Sequence, residues 1–262
     1  MTLATYWNKI QVKLRDKTAD KNIAKEVFED KCYERYINPT QDDVWLDAGA
    51  NVGFFAVSIA DRVKFVYSFE PENGNYLQLL ENVGLNGITN VIPLPFALVG
   101  NDDTTRTFYV SKLPNQALHT LLGNDRTYNK LVVNATNINT AIEYFGINKI
   151  KMDVEGAEYE LFKAIRDDLW AKIDEIVLEF HFGNLHDHPE HKKFKEVVAI
   201  LEKHFPYQIY NECKVASITT MYAGRTLKPE LNKAGARNRR VHVSSGSSDG
   251  VSVSTTEDSS TF

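Results

Sequence analysis

DVWLDAGANVGFFAVSIADRVKFVYSFEP, residues 43–71, contains two apolar runs separated by a loop of small residues and a helical pattern. The first run ends in Asp47 and the second ends in Glu70. A short apolar run is typical of a buried strand, and the apolar spacing from Phe54 onward is typical of a helix. The stretch therefore predicts strand, tight turn, helix and strand, which is one βαβ unit with a carboxylate at the tip of each strand.

The loop of this unit has the residues that a ligand site needs. Gly49 and Gly53 allow positive φ, and they let the main chain approach a ligand where a β-carbon would collide. Backbone N–H groups of the loop, which also contains Ala50 and Asn51, face the crevice above the strand ends. Glu70 stands at the tip of the neighbouring strand, where a carboxylate can accept both hydroxyl protons of a ribose. We therefore expect a site for a nucleoside-containing cofactor.

The spacing in the loop distinguishes between cofactors. A dinucleotide fold would show G-x-G-x-x-G, which seats a pyrophosphate on the helix end. Here the pattern is D-x-G-x-N-x-G, starting at Asp47 and without lysine or arginine. An acid at this point repels phosphate and attracts an ammonium group, which favours S-adenosylmethionine (SAM) over NAD. The alternative is an ordinary α/β turn without a ligand.

Composition places limits on the class of protein. With 262 residues and 43% hydrophobic content, the chain can bury one substantial core. A formal net charge of −5 provides no global attraction to nucleic acid or to an anionic membrane. The two cysteines, Cys32 and Cys213, are far apart and are most simply free thiols. We find no secretory signal and no apolar run long enough for a membrane helix, so we expect a soluble, cytoplasmic protein without a membrane partner.

The chain divides into three parts. Residues 1–40 are predicted to be a helical segment, whose second helix, near residues 21–36, packs on the domain or roofs the pocket. Residues 41–224 form the α/β domain. Residues 225–262 form a tail that is basic up to residue 240 and then rich in serine and threonine, which predicts disorder. The basic run holds six basic residues and one acid, and it is either solvated or a contact for a phosphate backbone.

Between the two informative stretches the pattern is weaker. Residues 91–94 predict a third strand, and residues 96–99, which include Ala97, are where an adenine ring would be contacted. Residues 104–110 resemble an edge strand and residues 131–136 a short strand. Residues 111–130 show weak periodicity, which indicates a long loop or insertion.

A second stretch, NKIKMDVEGAEYELF at residues 148–162, repeats the arrangement of an acid-rich turn at a strand tip. Strand tips of an open parallel sheet share one crevice, so Asp153 and Glu155 could approach the reactive end of the cofactor. Acids at a helix start also serve as caps and complement the helix dipole. For Glu158 we favour capping.

The strand predicted at residues 175–180 carries Glu179 near its tip and His181 directly after it. His181 is either a general base or a hydrogen-bonded residue at the strand end. Residues 181–191 contain four histidines, but their spacing matches no known set of metal ligands, so we predict no metal site.

Four segments together resemble the FkbM-type SAM-dependent methyltransferases: LDAGANVGFFA (46–56), SFEPENGNYLQLLENVGLN (68–86), KMDVEGAEYELF (151–162) and, more loosely, VLEFH (177–181). The resemblance implies a class I methyltransferase-like Rossmann fold: a seven-stranded, mostly parallel sheet with an antiparallel last strand and helices on both faces. It also implies methyl transfer to a hydroxyl, often of a sugar or natural product. Residues 136–142, TNINTAI, depart from the family, which often has a Thr-Leu-Asp element there. By motif the resemblance assigns the SAM site to Asp47, Gly49, Asn51, Gly53 and Glu70.

An alcohol is a poor nucleophile at neutral pH, so a carboxylate or imidazole beside it should help to remove its proton. The candidates are Asp153, Glu155 and His181, and the acceptor is expected to be a hydroxyl-bearing small molecule or glycan. Two alternatives remain open at this point. One is an RNA 2′-O-methyltransferase that uses the basic segment at residues 225–240, and the other is a SAM-binding module without turnover.

Overall fold

A computed structural model describes residues 4–7, 9–111, 119–120, 128–181, 189–210, 218–226 and 240–243. The elements in chain order are β1 Ala4–Trp7, β2 Ile10–Lys13, α1 Asp20–Phe28, β3 Val44–Ala48, α2 Phe54–Ile59, β4 Phe65–Phe69, α3 Asn73–Leu85, β5 Val91–Leu94, β6 Ala97–Val99, β7 Thr105–Ser111, β8 His119–Thr120, β9 Tyr128–Asn137, α4 Ile138–Phe145, β10 Lys149–Met152, α5 Glu158–Ala164, α6 Asp167–Trp170, β11 Glu175–His181, α7 Pro189–His204, β12 Tyr207–Tyr210, β13 Ile218–Gly224 and β14 Arg240–Val243.

The central sheet has the strand order β14-β12-β13-β11-β10-β3-β4-β5. The strands from β11 to β5 are parallel to one another, and β13 is antiparallel to both of its neighbours. Without β14 this is the predicted seven-stranded, mostly parallel sheet with an antiparallel last strand. The eighth strand, β14, was not predicted; it pairs with β12 from inside the supposed tail.

Two apolar layers cover the two faces of the sheet, because side chains alternate along each strand. Leu46, Ile150 and Ile176 face the layer that contains α4 to α7. Trp45 and Val177 face the layer that contains α1 to α3. Helices therefore lie on both faces, as the resemblance implied.

A second, four-stranded sheet has the order β6-β9-β7-β8. The strand predicted at residues 104–110 belongs to this sheet rather than to an edge of the central one. The prediction of a long loop at residues 111–130 is wrong where strands occur: β8 within the stretch and the start of β9 at its end both pair with β7. Residues 112–118 and 121–127 of the stretch lie outside the described part of the chain.

The N-terminal segment is not wholly helical. β1 and β2 form an antiparallel hairpin in which Trp7 pairs with Ile10, and only α1 confirms the expected second helix. A distant side chain secures β2: Asn86 accepts a hydrogen bond from the Gln11 N–H and donates one to the Gln11 carbonyl. Asn82 accepts from the Lys13 N–H in the same way. These long-range contacts satisfy strand groups that a helix would have paired internally.

Part of the basic segment is fixed in the fold. Arg225 donates hydrogen bonds to the carbonyls of Ile173 and Trp170 and lies over the ring of Phe205. Residues 227–239 and the Ser/Thr-rich residues 244–262 lie outside the described part of the chain. Cys32 is a free thiol. Cys213 lies outside the described part of the chain. Among the described residues, no helix combines the length and apolar character needed to cross a membrane.

Candidate functional site

Two adjoining pockets open at the carboxyl ends of the parallel strands. The first encloses about 610 Å³ and the second about 770 Å³, both partly open to solvent. They share four lining residues, Gly49, Asn51, Asp153 and Glu155. The loops after β3 and β10 therefore form the boundary between the two pockets, as expected when strand tips share one crevice.

Gly49 is required by close packing between these two loops. Its φ is +72°, and a β-carbon there would lie 1.8 Å from the carbonyl oxygen of Asp153. Gly53, with φ +85°, does not line either pocket; a β-carbon there would collide with the side chain of Leu79. Asn51 also has positive φ, at 51°. The loop glycines thus have the predicted conformation, and what they approach in this structure is protein.

Glu70 is held rigidly at the tip of β4. One carboxylate oxygen accepts a hydrogen bond from the Asn51 N–H and the other from the Glu72 N–H, each at 2.8 Å. Asn75 also donates to the second oxygen, at 3.5 Å. Burial raises the pKa of Glu70 to about 7, although these N–H donors act in the opposite direction. Each carboxylate oxygen can accept two hydrogen bonds, so the oxygen bonded to Asn51 keeps capacity for one ribose hydroxyl, whereas the other oxygen already has two donors.

The rest of the first pocket is largely apolar. Its wall is formed by aromatic and aliphatic residues from β4, β7 and the segment around β6, namely Phe69, Phe96, Ala97, Leu98 and Phe108. Ala97 lies where the sequence predicts the adenine contact. The pocket combines this apolar wall with the Glu70 carboxylate, as an adenosine site would need, and Asn51, whose side-chain oxygen is buried without a described partner, lines the same space.

Asp47 lies beneath the loop instead of in a pocket. It is fully buried and does not line either of the two pockets, and its carboxylate lies 3.2 Å from the ammonium nitrogen of Lys151. Burial raises the pKa of Asp47, and the ammonium group of Lys151 opposes that rise. Lys151 also donates to the Gly49 carbonyl at 2.8 Å. The attraction of a cofactor ammonium by Asp47 remains a prediction, since the structure gives this carboxylate an internal cation.

Asp153 is held by two groups on one side. Its Oδ2 accepts a hydrogen bond from the Tyr33 hydroxyl at 3.1 Å and lies 3.8 Å from Lys151 Nζ. Its Oδ1 lies 3.8 Å from His181 Nε2. The residue therefore connects the first pocket, which it lines, with the polar groups of the second.

Glu158 fixes both the acid-rich turn and His181. One of its oxygens accepts from the N–H groups of Val154 and Gly156 at 3.2 and 3.1 Å, and lies 2.9 Å from His181 Nδ1. The side chain thus caps the turn just before α5, which agrees with the capping role that we favour. Burial by itself would lower the pKa of His181, but the hydrogen bond with Glu158 and nearby carboxylates raise it to about 10.

The second pocket has an excess of carboxylates. Four acids line it, together with two cationic or potentially cationic groups: Glu26, Asp153, Glu155, Glu179, Lys151 and His181. Burial and the charge of Asp153 raise the pKa of both Glu155 and Glu179. Glu155 reaches its position through a backbone with φ +53°, a conformation that costs energy for a residue with a β-carbon.

The N-terminal segment provides the roof of this pocket. Ile23, Glu26, Cys32 and Tyr33 all line it, and none of them lines the first pocket. The segment also packs on the domain through the buried residues of α1, so the expected packing is present and the roof lies over the second pocket. Sequence reasoning did not single out Lys151, although a lysine within a buried-type strand is a signal that could have been used. Asn75 and Phe108 were also missed, because only tertiary contacts bring them to the first pocket.

Comparison with known proteins agrees with this geometry. The Methyltransferase FkbM domain family matches residues 47–209, more than half of the chain. Methyltransferase 1 of Beauveria bassiana is 26% identical over 182 residues, which cover 60% of this chain and 72% of that protein. Hexuronic acid methyltransferase AglP of Haloferax volcanii is 27% identical over 146 residues, 55% of this chain and 58% of that protein.

Two solved structures of similar proteins are the methyltransferase FkbM from Methylobacillus flagellatus KT and TYW2 from M. jannaschii in complex with AdoMet. The first is 16% identical with a TM-score of 0.43 and covers 80% of this chain and 55% of that one. The second is 15% identical with a TM-score of 0.44 and covers 85% and 84%. Both the strand order and the family match lead to one conclusion: the chain is a methyltransferase and belongs to the FkbM methyltransferase family.

Proposed function

We propose that the protein is a SAM-dependent O-methyltransferase that acts on a hydroxyl of a sugar, glycan or similar small acceptor. The observation that carries the proposal is the junction of two unlike pockets at Asp153 and Glu155. The first pocket combines an apolar wall with the Glu70 carboxylate, which suits an adenosine. The second is lined by hydrogen-bond acceptors that suit a hydroxylated molecule.

The cofactor would be held mainly by the first pocket. Glu70 is placed to accept a ribose hydroxyl, and Phe96, Ala97 and Leu98 to contact the adenine ring. Gly49 and Asn51 would face the amino-acid end of the cofactor. SAM, when bound, supplies a methyl group on a positively charged sulfur, and so the main task of the protein is to hold the acceptor oxygen near that group.

Asp153 and Glu155 are the candidates for the proton acceptor, because they line both pockets. His181 lines only the second pocket and is fixed by Glu158, which suits a positioning role. Tyr33 and the carboxylates of Glu26 and Glu179 can form hydrogen bonds with further hydroxyl groups of an acceptor.

The sugar class is supported by two observations. The second pocket combines these hydrogen-bonding groups with aromatic side chains, Tyr33, Phe54 and Phe55, and aromatic faces pack against the apolar faces of sugar rings. One relative of the chain is named a hexuronic acid methyltransferase. The part of the basic segment that is described does not support an RNA acceptor, since Arg225 is engaged with carbonyls of its own fold.

The test has two stages. Calorimetric titration with SAM, with NAD as the control ligand, should show binding of SAM alone, and Glu70→Ala should abolish that binding. Asp167→Ala, which removes an exposed acid that lines neither pocket, is the matched control and should bind as the parent does. A panel of sugars and glycosides is then incubated with methyl-labelled SAM, and the product is examined by NMR for an O-methyl signal. Absence of SAM binding would overturn the proposal, and label found only on nitrogen or on RNA would overturn the acceptor class.

A further inference from the structure

We infer that the second pocket binds a divalent metal ion through Asp153, Glu179 and His181, which we call the metal-ligand cluster. One ligand atom from each residue lies within 4.8 Å of the other two. The three residues come from the tips of β10 and β11, so the sheet, and not a local motif, brings them together. Histidine spacing along residues 181–191 did not predict this site because two of the ligands are not histidines.

The distances between the ligand atoms are slightly longer than those expected around a bound ion. Metal–ligand bonds of about 2.0–2.2 Å place two ligand atoms of one ion roughly 3–4 Å apart. His181 Nε2 already lies 3.8 Å from Asp153 Oδ1 and 3.3 Å from a carboxylate oxygen of Glu155. Small side-chain rotations therefore suffice, and the carboxylate of Glu155 lies beside the same imidazole nitrogen.

His181 is oriented as metal-binding histidines are. Its Nδ1 is engaged by Glu158, a carboxylate that is only 1% exposed, and its Nε2 consequently points to the other acids. Metal-ligating histidines almost always bond a carboxylate or carbonyl through the second ring nitrogen, which fixes the ring and increases its basicity. Glu158 is itself held by two backbone N–H groups, so this support is rigid.

The two carboxylate oxygens of Asp153 have different neighbours, and this leaves one of them suitably placed to be a metal ligand. Tyr33 and Lys151 approach Oδ2, whereas Oδ1 faces His181. The cation of Lys151 is closer to Asp47 and donates to the Gly49 carbonyl. The carboxylates of the second pocket therefore outnumber the positive charges near them, and a dication would balance that excess.

The donor set indicates the kind of ion. Two carboxylates and one imidazole suit a first-row divalent ion such as Mn²⁺ or Zn²⁺ better than Ca²⁺, which prefers oxygen alone. An ion at this place would lie next to Asp153, at the junction with the cofactor pocket. Held by Asp153, Glu179 and His181, it would lower the pKa of an acceptor hydroxyl beside it, and Glu155 would take the hydroxyl proton. The ion site rests on geometry alone, and only this use of it rests on the proposed function.

The experiment titrates the full-length protein, freed of metal by chelation and dialysis, with Mn²⁺. Free Mn²⁺ is measured by electron paramagnetic resonance, and Zn²⁺ is added afterwards as a competitor. We compare the parent with Glu179→Gln, an isosteric change of a residue outside the cofactor pocket, and with Asp167→Asn as the matched surface control. Far-UV circular dichroism and thermal unfolding report whether each variant is folded, and calorimetry reports its SAM binding.

The parent and Asp167→Asn should bind one Mn²⁺ that Zn²⁺ displaces. Glu179→Gln should bind it more weakly by at least the roughly 10- to 100-fold that loss of an outer-shell partner costs, with SAM binding unchanged. Equal Mn²⁺ affinity in parent and Glu179→Gln would overturn the site. If Glu179→Gln also loses SAM binding, the titration is repeated with His181→Gln. Equal Mn²⁺ affinity in the parent and in that variant would then overturn the site.

Methyl transfer separates the site from the proposed function. Activity that falls on removal of metal and returns with Mn²⁺ supports the activating role. Full activity in metal-free protein would overturn that role and leave the methyltransferase proposal intact. If the protein binds Mn²⁺ stoichiometrically but does not bind SAM, the metal site is supported and the proposed function is overturned.

Discussion

Lys151 and Asp47 are direct partners across two neighbouring parallel strands, and their side chains form an ion pair of 3.2 Å with almost no exposure to solvent. Burial alone would lower the pKa of Lys151, but the carboxylates of Asp47 and Asp153 raise it above its usual value. The pair joins β3 to β10 beneath both pockets, and the Lys151 ammonium also holds the Gly49 carbonyl. It is therefore the internal support of the loop that separates the pockets.

Removing this ammonium should destabilise the protein strongly. In Lys151→Met, Asp47 would be left buried without its cation, a change that typically costs about 3–5 kcal/mol. We expect the free energy of unfolding, measured by urea denaturation, to fall by that amount. The double variant Asp47→Asn with Lys151→Met should recover part of the loss, because no buried charge is then left unpaired. A single variant as stable as the parent would contradict the role assigned to the pair.

Gly49→Ala should disrupt both loops, since the added β-carbon would meet the Asp153 carbonyl oxygen. Gly87→Ala is the matched control: residue 87 also has positive φ, at 60°, but no atom lies within 4 Å of its added β-carbon. Both variants bear the cost of left-handed backbone, about 1–2 kcal/mol. Only Gly49→Ala should lose more stability than this and also lose SAM binding by calorimetry. Equal effects of the two substitutions would show that backbone conformation, and not loop packing, requires the glycine.

SAM affinity should depend on the ionisation of Glu70. Because burial raises the pKa of this carboxyl to about 7, protonation begins near neutral pH and removes acceptor capacity for the ribose. We expect the Kd for SAM to rise as the pH falls from 8 to 5.5, approaching about tenfold per pH unit below the pKa if only the ionised form binds. Glu70→Gln should bind weakly with a flat profile in calorimetric titrations. A pH-independent Kd in the parent would exclude the ionised carboxylate as the ribose acceptor.

When no ligand is bound, the buried and ionised Glu70 carboxylate should lower the stability of the folded protein at high pH. Its pKa in the folded protein lies above the unfolded value of 4.5, so the folded state binds more protons between these values. Its contribution to stability is therefore favourable at low pH and is lost as the pH rises through 7. The thermal midpoints at pH 5.5 and pH 8 should differ less in Glu70→Gln than in the parent when both proteins are measured without SAM.

Asp153→Asn should cut methyl transfer and leave the fold intact. The amide keeps the size of the side chain, but it cannot take a proton from the acceptor, is a weaker ligand for the inferred metal ion and is a poorer partner for Lys151. We expect turnover to fall by roughly 10²- to 10⁴-fold, which is the range for loss of a general acid–base group. SAM affinity should stay within a few-fold of the parent, with Asp167→Asn as the control. Unchanged turnover would remove Asp153 from the mechanism.

The hairpin at the N-terminus shows why part of the fold could not be predicted. The segment around Ile10 and Val12 contains too few residues for its periodicity to separate strand from helix. What decides the strand is Asn86, 75 positions away from Gln11, whose side-chain amide pairs with both backbone groups of that residue. A contact of that separation leaves no trace in local propensity.

Other features were predictable because each depends on neighbours in the chain. The βαβ unit, the positive φ of Gly49 and Gly53, and the position of Glu70 at its strand tip follow from periodicity and from the steric freedom of glycine. The backbone N–H groups that hold the Glu70 carboxylate were not predicted. The antiparallel last strand and the family membership came from the D-V-E-G-A-E segment and the glycine loop together.

The sequence by itself determined the class of fold, the family and the position of the cofactor loop, because these are properties of short segments whose residue order dictates local geometry. Only the tertiary structure decided that Asp47 is paired with Lys151, that Tyr33 roofs the second pocket, and that Asp153, Glu179 and His181 converge. These relationships depend on which strand tips become neighbours in the sheet. Packing between residues that are far apart in the sequence establishes that order, and burial then shifts the pKa values of the charged groups that meet there. A linear pattern contains neither kind of information.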